Sequence, residues 1–304
     1  MAGAGASLAA QGASVSGVLV RGGTGRTPLA RRWVVLHQVT MQAGAPVDSV
    51  RSDARGRWRL RAPQVDSLAV YVVSAVHDGL AYFSQPIPLV AAQATAADTL
   101  VVFDTTSRGP AAQLRRRLVT VARPKLDGAR DVLEILELEN PGRSTRVAAD
   151  SLHPTWAGAI PSAALQFQAG SGDFSVDAVV RQGDRVVVFG PIQPDGGRQL
   201  SYSYVLPRSV GTLTLPIDQP TAELDLLIED TLAAVSAPSL VSGGVEQLEN
   251  RTFSRYRTGP LAAGAPVAIA FPAAPFRPER LVPALVGVLA VVLGIGLWVA
   301  LKRK

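Results

Sequence analysis

Arg55-Gly-Arg-Trp-Arg-Leu-Arg61 alternates a basic side chain with Gly, Trp or Leu. A period of two belongs to a β-strand, whose successive side chains point to opposite faces. The stretch therefore predicts Trp58 and Leu60 facing a core, with the guanidinium groups of Arg55, Arg57, Arg59 and Arg61 sharing the other face. A solvated sheet face is the usual fate of such a run. Adjacent like charges repel, however, and a carboxylate-rich or lipid-phosphate partner would relieve that repulsion. These arginines are candidate interaction residues.

The same short-period texture extends outward in both directions. Between Ser14 and Pro272 there is almost no helical period, only short alternating or β-branched runs punctuated by Gly, Pro, Asp and Asn. That is the pattern of β-sandwiches. Strands are expected at 15–20, 33–39, 58–60, 68–76 and 100–103, with 91–97 as a small-residue loop and a joint at 108–113 marked by Gly109-Pro110. A second set is expected at 118–121, 132–139, 165–167, 174–180, 185–189 and 199–206, and a third at 211–215, 222–228, 232–235, 245–248, 251–256 and 267–271. The predicted fold class is all-β: a sandwich over 14–104 and a second sandwich region over 115–272, or three units if 115–206 and 207–272 separate. A single C-terminal transmembrane helix follows.

That helix is expected at 281–301, which reads LVPALVGVLAVVLGIGLWVAL without a charge. At roughly 1.5 Å per residue it reaches about 31 Å, enough for a bilayer core. Pro283 falls in its first turn, Trp298 suits an interface, and Lys302-Arg303-Lys304 places the tail on the cytoplasmic side. Gly287, Ala290 and Gly294 give the helix one small-residue face suited to close packing. Residues 273–280 form a Pro-rich stalk. The expected address is a bacterial inner membrane, with one pass and most of the chain periplasmic. Met1–Gly12 has neither a basic start nor an apolar core and resembles only the small-residue end of an export signal. Export then implies a start placed too late or a signal already removed; the alternative is a tail-anchored cytoplasmic protein.

Composition removes several chemistries. There is no cysteine, hence no disulfide, thiolate metal site or cysteine nucleophile, and only three histidines, His37, His77 and His153. The net charge of +6 comes from 30 basic residues, all but three of them arginine, against 24 acidic ones. Spread along the chain, with no nucleic-acid motif, it does not point to nucleic acid. No G-x-S-x-G, H-E-x-x-H, Walker A or strand-to-helix G-x-G-x-x-G motif occurs. Gly22-Gly23-Thr24-Gly25 reads as a hairpin loop. His77-Asp78 reads as a turn before Gly79 rather than half of a triad. Asp127, Asp131, Glu134, Glu137 and Glu139 read as a solvated acidic face without calcium-loop spacing. Asn250-Arg251-Thr252 matches the glycosylation triplet, a coincidence in a bacterial chain. No catalytic, cofactor or metal residues are predicted.

The first third of the chain resembles the carboxypeptidase regulatory-like, or transthyretin-like, domain. The likeness rests on Val15-Ser-Gly-Val-Leu-Val, Thr27-Pro-Leu-Ala, Trp33-Val-Val-Leu, Ser52-Asp-Ala-Arg-Gly-Arg-Trp58, Val70-Tyr-Val-Val and His77-Asp-Gly-Leu-Ala-Tyr82, in that order. It implies a seven-stranded sandwich with no catalytic residues of its own, serving as a folding, binding or spacing module. Residues 115–272 are similar to the downstream part of bacterial envelope proteins that carry such a domain and end in one membrane helix. The matching signals are Leu138-Glu-Asn-Pro-Gly, Ile160-Pro, Gly172-Asp-Phe, Leu200-Ser-Tyr-Ser-Tyr-Val-Leu-Pro and Leu261-Ala-Ala-Gly-Ala-Pro. That resemblance implies architecture only.

These readings favour a non-enzymatic, membrane-anchored accessory subunit of a larger membrane assembly, respiratory or photosynthetic complexes being examples of a host. Its expected partners are membrane lipid and other proteins. The alternative is an envelope glycan- or peptide-binding module using Tyr202, Tyr204 and Tyr256 as surface aromatics. A hydrolase comes last, because the regulatory-like domain stands without a zinc carboxypeptidase domain.

Overall fold

The computed structural model describes residues 12–272 other than 195 and 249. Among them the chain is all-β, with one short 3-10 turn at Val176–Ala178 inside the span read as a strand over 174–180. The stalk 273–280, the apolar run 281–301 and its Gly287, Ala290 and Gly294 lie outside the described residues. No helix among the described residues is long and apolar enough to cross a membrane.

Two clusters of buried side chains organise the strands. The first includes Val15, Leu19, Val34, Leu36, Trp58, Leu60, Tyr71, Val73, Tyr82 and Phe103. On one side of it, Ala13–Arg21 pairs antiparallel with Arg57–Ala62 and Thr27–Pro28 and parallel with Ala94–Ala96 and Leu100–Val102. On the other, four strands run in the order Gly44–Arg51, Trp33–Val39, Val70–His77, Leu80–Phe83. Every apolar residue that alternates inward from Arg57–Ala62 is buried, namely Trp58, Leu60 and Ala62. Gly17 lies across from Trp58, and a Cβ there would overlap the indole.

Several elements of this unit depart from the sequence reading, Thr27–Pro28 and Leu80–Phe83 being further strands. Residues 94–96, read as loop, form a strand, because their neighbour Ala13–Arg21 is some 80 positions away and short Ala/Thr runs carry no local signal. Gly44–Arg51 is a strand despite Pro46, which sits opposite His37 at a register shift on a sheet edge, where a missing N–H is tolerated.

The second cluster lies beneath a seven-stranded sheet ordered Leu165–Ala169, Arg198–Leu206, Arg130–Glu139, Gln113–Val121, Thr221–Ile228, Arg251–Thr258, Val241–Leu248. Gln113–Val121 and Thr221–Ile228 pair in parallel, so this one sheet holds strands from both sides of residue 207. Two three-stranded sheets, one centred on Arg185–Val188 and one on Ala268–Ala270, bring Val186, Val188, Leu213 and Ile269 against the same core, giving a sandwich-like arrangement.

The two cores meet through a short parallel pair, Thr105–Thr106 with Thr145–Arg146. Thr145 N–H donates to the Asp104 carbonyl, and Val147 N–H to that of Thr106. These contacts bring the Asn140–Arg146 loop beside the 108–110 joint.

Candidate interaction surfaces

Arg57, Arg59 and Arg61 occupy the outward face of their strand, opposite Val18, Ser16 and Ser14. Arg55 does not join them. It lies in the preceding turn, where Asp53 Oδ1 accepts the N–H groups of Arg55 and Arg57, each at 2.8 Å, and Gly56 has a φ of 73°. Only a residue tolerant of the left-handed region closes such a turn, so the strand starts at Arg57. The Arg57 and Arg55 amides and their positive charges hold the Asp53 carboxyl below its ordinary range. The stripe is therefore three arginines long. Arg59 reaches Ser14 Oγ at 3.3 Å, and none of the three makes an ion pair among the described residues.

The outward face of the opposing four-stranded sheet has the reverse character. Val34 pairs with Ala75 and Leu36 with Val73 on the core side, which leaves Trp33, Val35, His37 and Val39 outward with Val70, Val72, Ser74 and Val76. Phe83 joins them opposite Ser74. Trp33 is 54% exposed, Phe83 60% and Val76 61%. The polar members are internally occupied: the His37 Nε2 and Ser74 Oγ atoms are 2.8 Å apart, and the His37 ring tilts against Phe83. Arg51 lies over the Trp33 ring at 4.9 Å. Large aromatic and β-branched side chains thus form one contiguous apolar face, of the sort that marks an interaction site.

His77, Asp78 and Asp104 form a histidine–carboxylate cluster. His77 is buried at the end of its strand, and Asp78 and Gly79, with φ of 46° and 77°, form the hairpin turn that follows. His77 Nε2 sits 2.7 Å from Asp104 Oδ1 and 4.0 Å from Asp78 Oδ1, and Arg21 approaches Asp104 at 3.5 Å. These are the described residues that could hold a metal ion. The buried His77 Nδ1 has no hydrogen-bond partner, whereas a metal-ligating imidazole normally anchors its second nitrogen. No serine, threonine or tyrosine hydroxyl hydrogen-bonds the ring among the described residues. His153 lies in an exposed loop against Asp150.

Of the three tyrosines read as surface aromatics, Tyr256 is half-buried and the other two are not on the surface. Tyr202 and Tyr204 are each 1% exposed, and both donate to Glu134, at 3.0 and 2.9 Å. Glu134, read as part of a solvated face, is fully buried, and Arg117 Nε donates to it at 2.8 Å. A register shift between Leu114 and Arg116 lets both Leu114 and Arg117 face inward. Burial and the Glu134 carboxylate push both phenols well above their ordinary range, so they stay protonated donors. Burial alone would lower Arg117, but the attraction of Glu134 overrides it and raises it. Asp131 and Glu139 do remain outside, paired with Lys125 and Arg115.

No family model matches the chain, and no curated protein does. Among solved structures, the crystal structure of a 9R-lipoxygenase from Cyanothece PCC8801 aligns with 34% of this chain at 12% identity and a TM-score of 0.22. The aligned part spans 19% of that structure's length, and a score that low carries no argument about fold or activity.

Proposed function

We propose that the chain is a non-enzymatic, membrane-anchored accessory subunit whose β units, outside the cytoplasm, make protein–protein contacts within a larger membrane assembly. The observation that carries this reading is the apolar outward face of Trp33, Val35, Val39, Val70, Val72, Val76 and Phe83. Its occupant is a protein partner held in the same membrane. The apolar run ahead of Lys302-Arg303-Lys304 supports that company, and so does the resemblance of the first unit to a regulatory-like spacing module. The partner presents an apolar patch to this sheet, and an acidic surface complements the three arginines on the opposite sheet. Burial of Tyr202 and Tyr204 takes away two of the three aromatics on which a glycan reading rested.

Extraction of the full chain in mild detergent, with a photocrosslinker at position 76 or 83, tests the proposal. A defined membrane protein should be captured, and Val76→Glu should release it without lowering the melting temperature. An unchanged partner set in a folded Val76→Glu variant overturns the reading. Protease added to spheroplasts should digest the β units; full protection behind an intact membrane overturns the topology.

A further inference from the structure

We propose that the cleft between the Asn140–Arg146 loop and the 108–110 joint binds a small phosphate-class oxyanion. This cleft, of about 420 Å³, is lined by Arg108, Arg143 and Arg146 together with Thr106 and Ser144. No carboxylate lines it. Arg146 is half-buried and fixed in place by neutral acceptors alone. Its Nε donates to the Thr155 carbonyl at 2.9 Å, and its Nη1 to those of Pro110 and Gly109 at 3.0 and 3.3 Å. Arg108 and Arg143 are exposed and make no ion pair among the described residues.

Several other arginines of the second unit are paired, although Arg181, Arg198 and Arg208 also make no ion pair among the described residues. Arg116 faces Glu223, Arg130 faces Asp230, Arg185 faces Asp218 and Arg251 faces Glu229. The contrast is sharpest with a second surface cleft, of about 520 Å³, where Arg116, Arg255 and Arg257 pair with the lining Glu223 and Asp225 and, at Arg255, with Glu246 as well. That cleft neutralises itself; the one at the joint does not. Three guanidinium groups around one concavity repel each other; Arg108 and Arg143 each offer the planar fork that matches a phosphate oxygen pair, and Arg146 adds its charge and its remaining Nη2.

The loop is also braced before any ligand arrives. The buried Asn140 side chain donates to the Ser144 and Ile192 carbonyls at 2.9 and 2.8 Å and accepts the Gly142 N–H at 2.8 Å. A Cβ on Gly142 would come within 2.9 Å of Asn140 Oδ1, so the tight loop depends on that glycine. Thr106 Oγ1 bonds the Arg108 carbonyl at 2.6 Å and accepts its N–H at 3.1 Å, fixing the other wall. The arginine-bearing backbone is held by hydrogen bonds on both sides, which lowers the ordering cost of binding.

The test titrates inorganic phosphate into the full chain in neutral-detergent micelles, by calorimetry, against sodium chloride at matched ionic strength. Saturable heat with phosphate and none with chloride is expected. Arg108→Gln with Arg143→Gln should weaken phosphate binding at least tenfold, and Arg208→Gln, at an exposed arginine outside the cleft, should leave it unchanged. Arg143→Lys, which keeps the charge but loses the fork, guards against a misfolded double variant and should weaken binding by an intermediate factor. Equal, non-saturable heats for phosphate and chloride overturn the proposal, as does full affinity in the Arg108/Arg143 double variant. Binding to phosphatidylglycerol vesicles with free phosphate inert overturns the small-oxyanion assignment.

Discussion

The Tyr82 hydroxyl lies 2.8 Å from the Thr145 hydroxyl, joining side chains 63 positions apart. It also donates to the Phe103 carbonyl at 2.8 Å. Tyr82 belongs to the first core, whereas Thr145 is fully buried beside the second, so the contact ties the two together. Removing a buried hydrogen-bond partner costs about 1–3 kcal/mol. Tyr82→Phe should fall in that range by urea unfolding. A double-mutant cycle with Thr145→Val should give a coupling energy of about 0.5 kcal/mol or more. Strictly additive losses would mean that the two hydroxyls do not cooperate.

The buried Arg117–Glu134 pair predicts an asymmetry. Glu134→Ala strands the Arg117 charge and both phenol hydroxyls, and breaking a buried pair from one side costs about 3–5 kcal/mol. Replacing both partners with apolar residues, Arg117→Met with Glu134→Leu, should cost less than Glu134→Leu alone. Chemical denaturation of the three variants decides it. A double variant less stable than Glu134→Leu would overturn the asymmetry.

Acid should unlock a specific contact at the strand ends. Glu229 is held at about 2, below its ordinary 4.5, chiefly by the Arg251 guanidinium, whose Nε donates at 2.9 Å, and further by the Arg123 N–H. Between those two values the unfolded chain binds a proton at Glu229 that the folded chain does not. The contribution of Glu229 is therefore complete above 4.5 and is lost as pH falls toward about 2. Arg251→Gln should flatten the acid limb of a plot of melting temperature against pH. An unchanged limb would place the acid sensitivity in other carboxylates.

How much was legible depended on whether the signal was local. Trp58 and Leu60 declare themselves inward because their period of two is unbroken. Arg55 escaped that reading although Gly56 was in view, since a left-handed glycine ends an alternation that the arginines continue on paper. Tyr202 and Tyr204 share a face with Leu200 and Leu206 by simple period, yet their hydroxyls suggested solvent. The partner that permits their burial, Glu134, lies 68 and 70 residues earlier. The apolar outward face was readable in principle: 33–39 and 70–77 are apolar on both alternations, the pattern of strands covered on both sides. The arginine cleft was not, because pairing of 105–106 with 145–146 assembles it and two-residue strands leave no pattern.

The arginine stripe separates stability from association. Trp58 is buried on Gly17, and truncating a core aromatic costs about 3–5 kcal/mol, so Trp58→Ala should unfold at markedly lower denaturant. Gly17→Ala should also destabilise, because the new methyl group collides with the indole. The Arg57 and Arg59 side chains face solvent and make no ion pair among the described residues, and exposed charge changes stay within about ±0.5 kcal/mol of neutral. Arg57→Gln with Arg59→Gln should therefore leave melting almost unchanged. The double variant should instead weaken attachment to an acidic partner surface. That loss should shrink at high salt, where screening over about 3 Å at 1 M has already removed most of the attraction. Pull-down from detergent extracts at low and high salt measures both arms. A variant that folds and captures its partner as well as the parent at low salt would reduce the stripe to a solvated face.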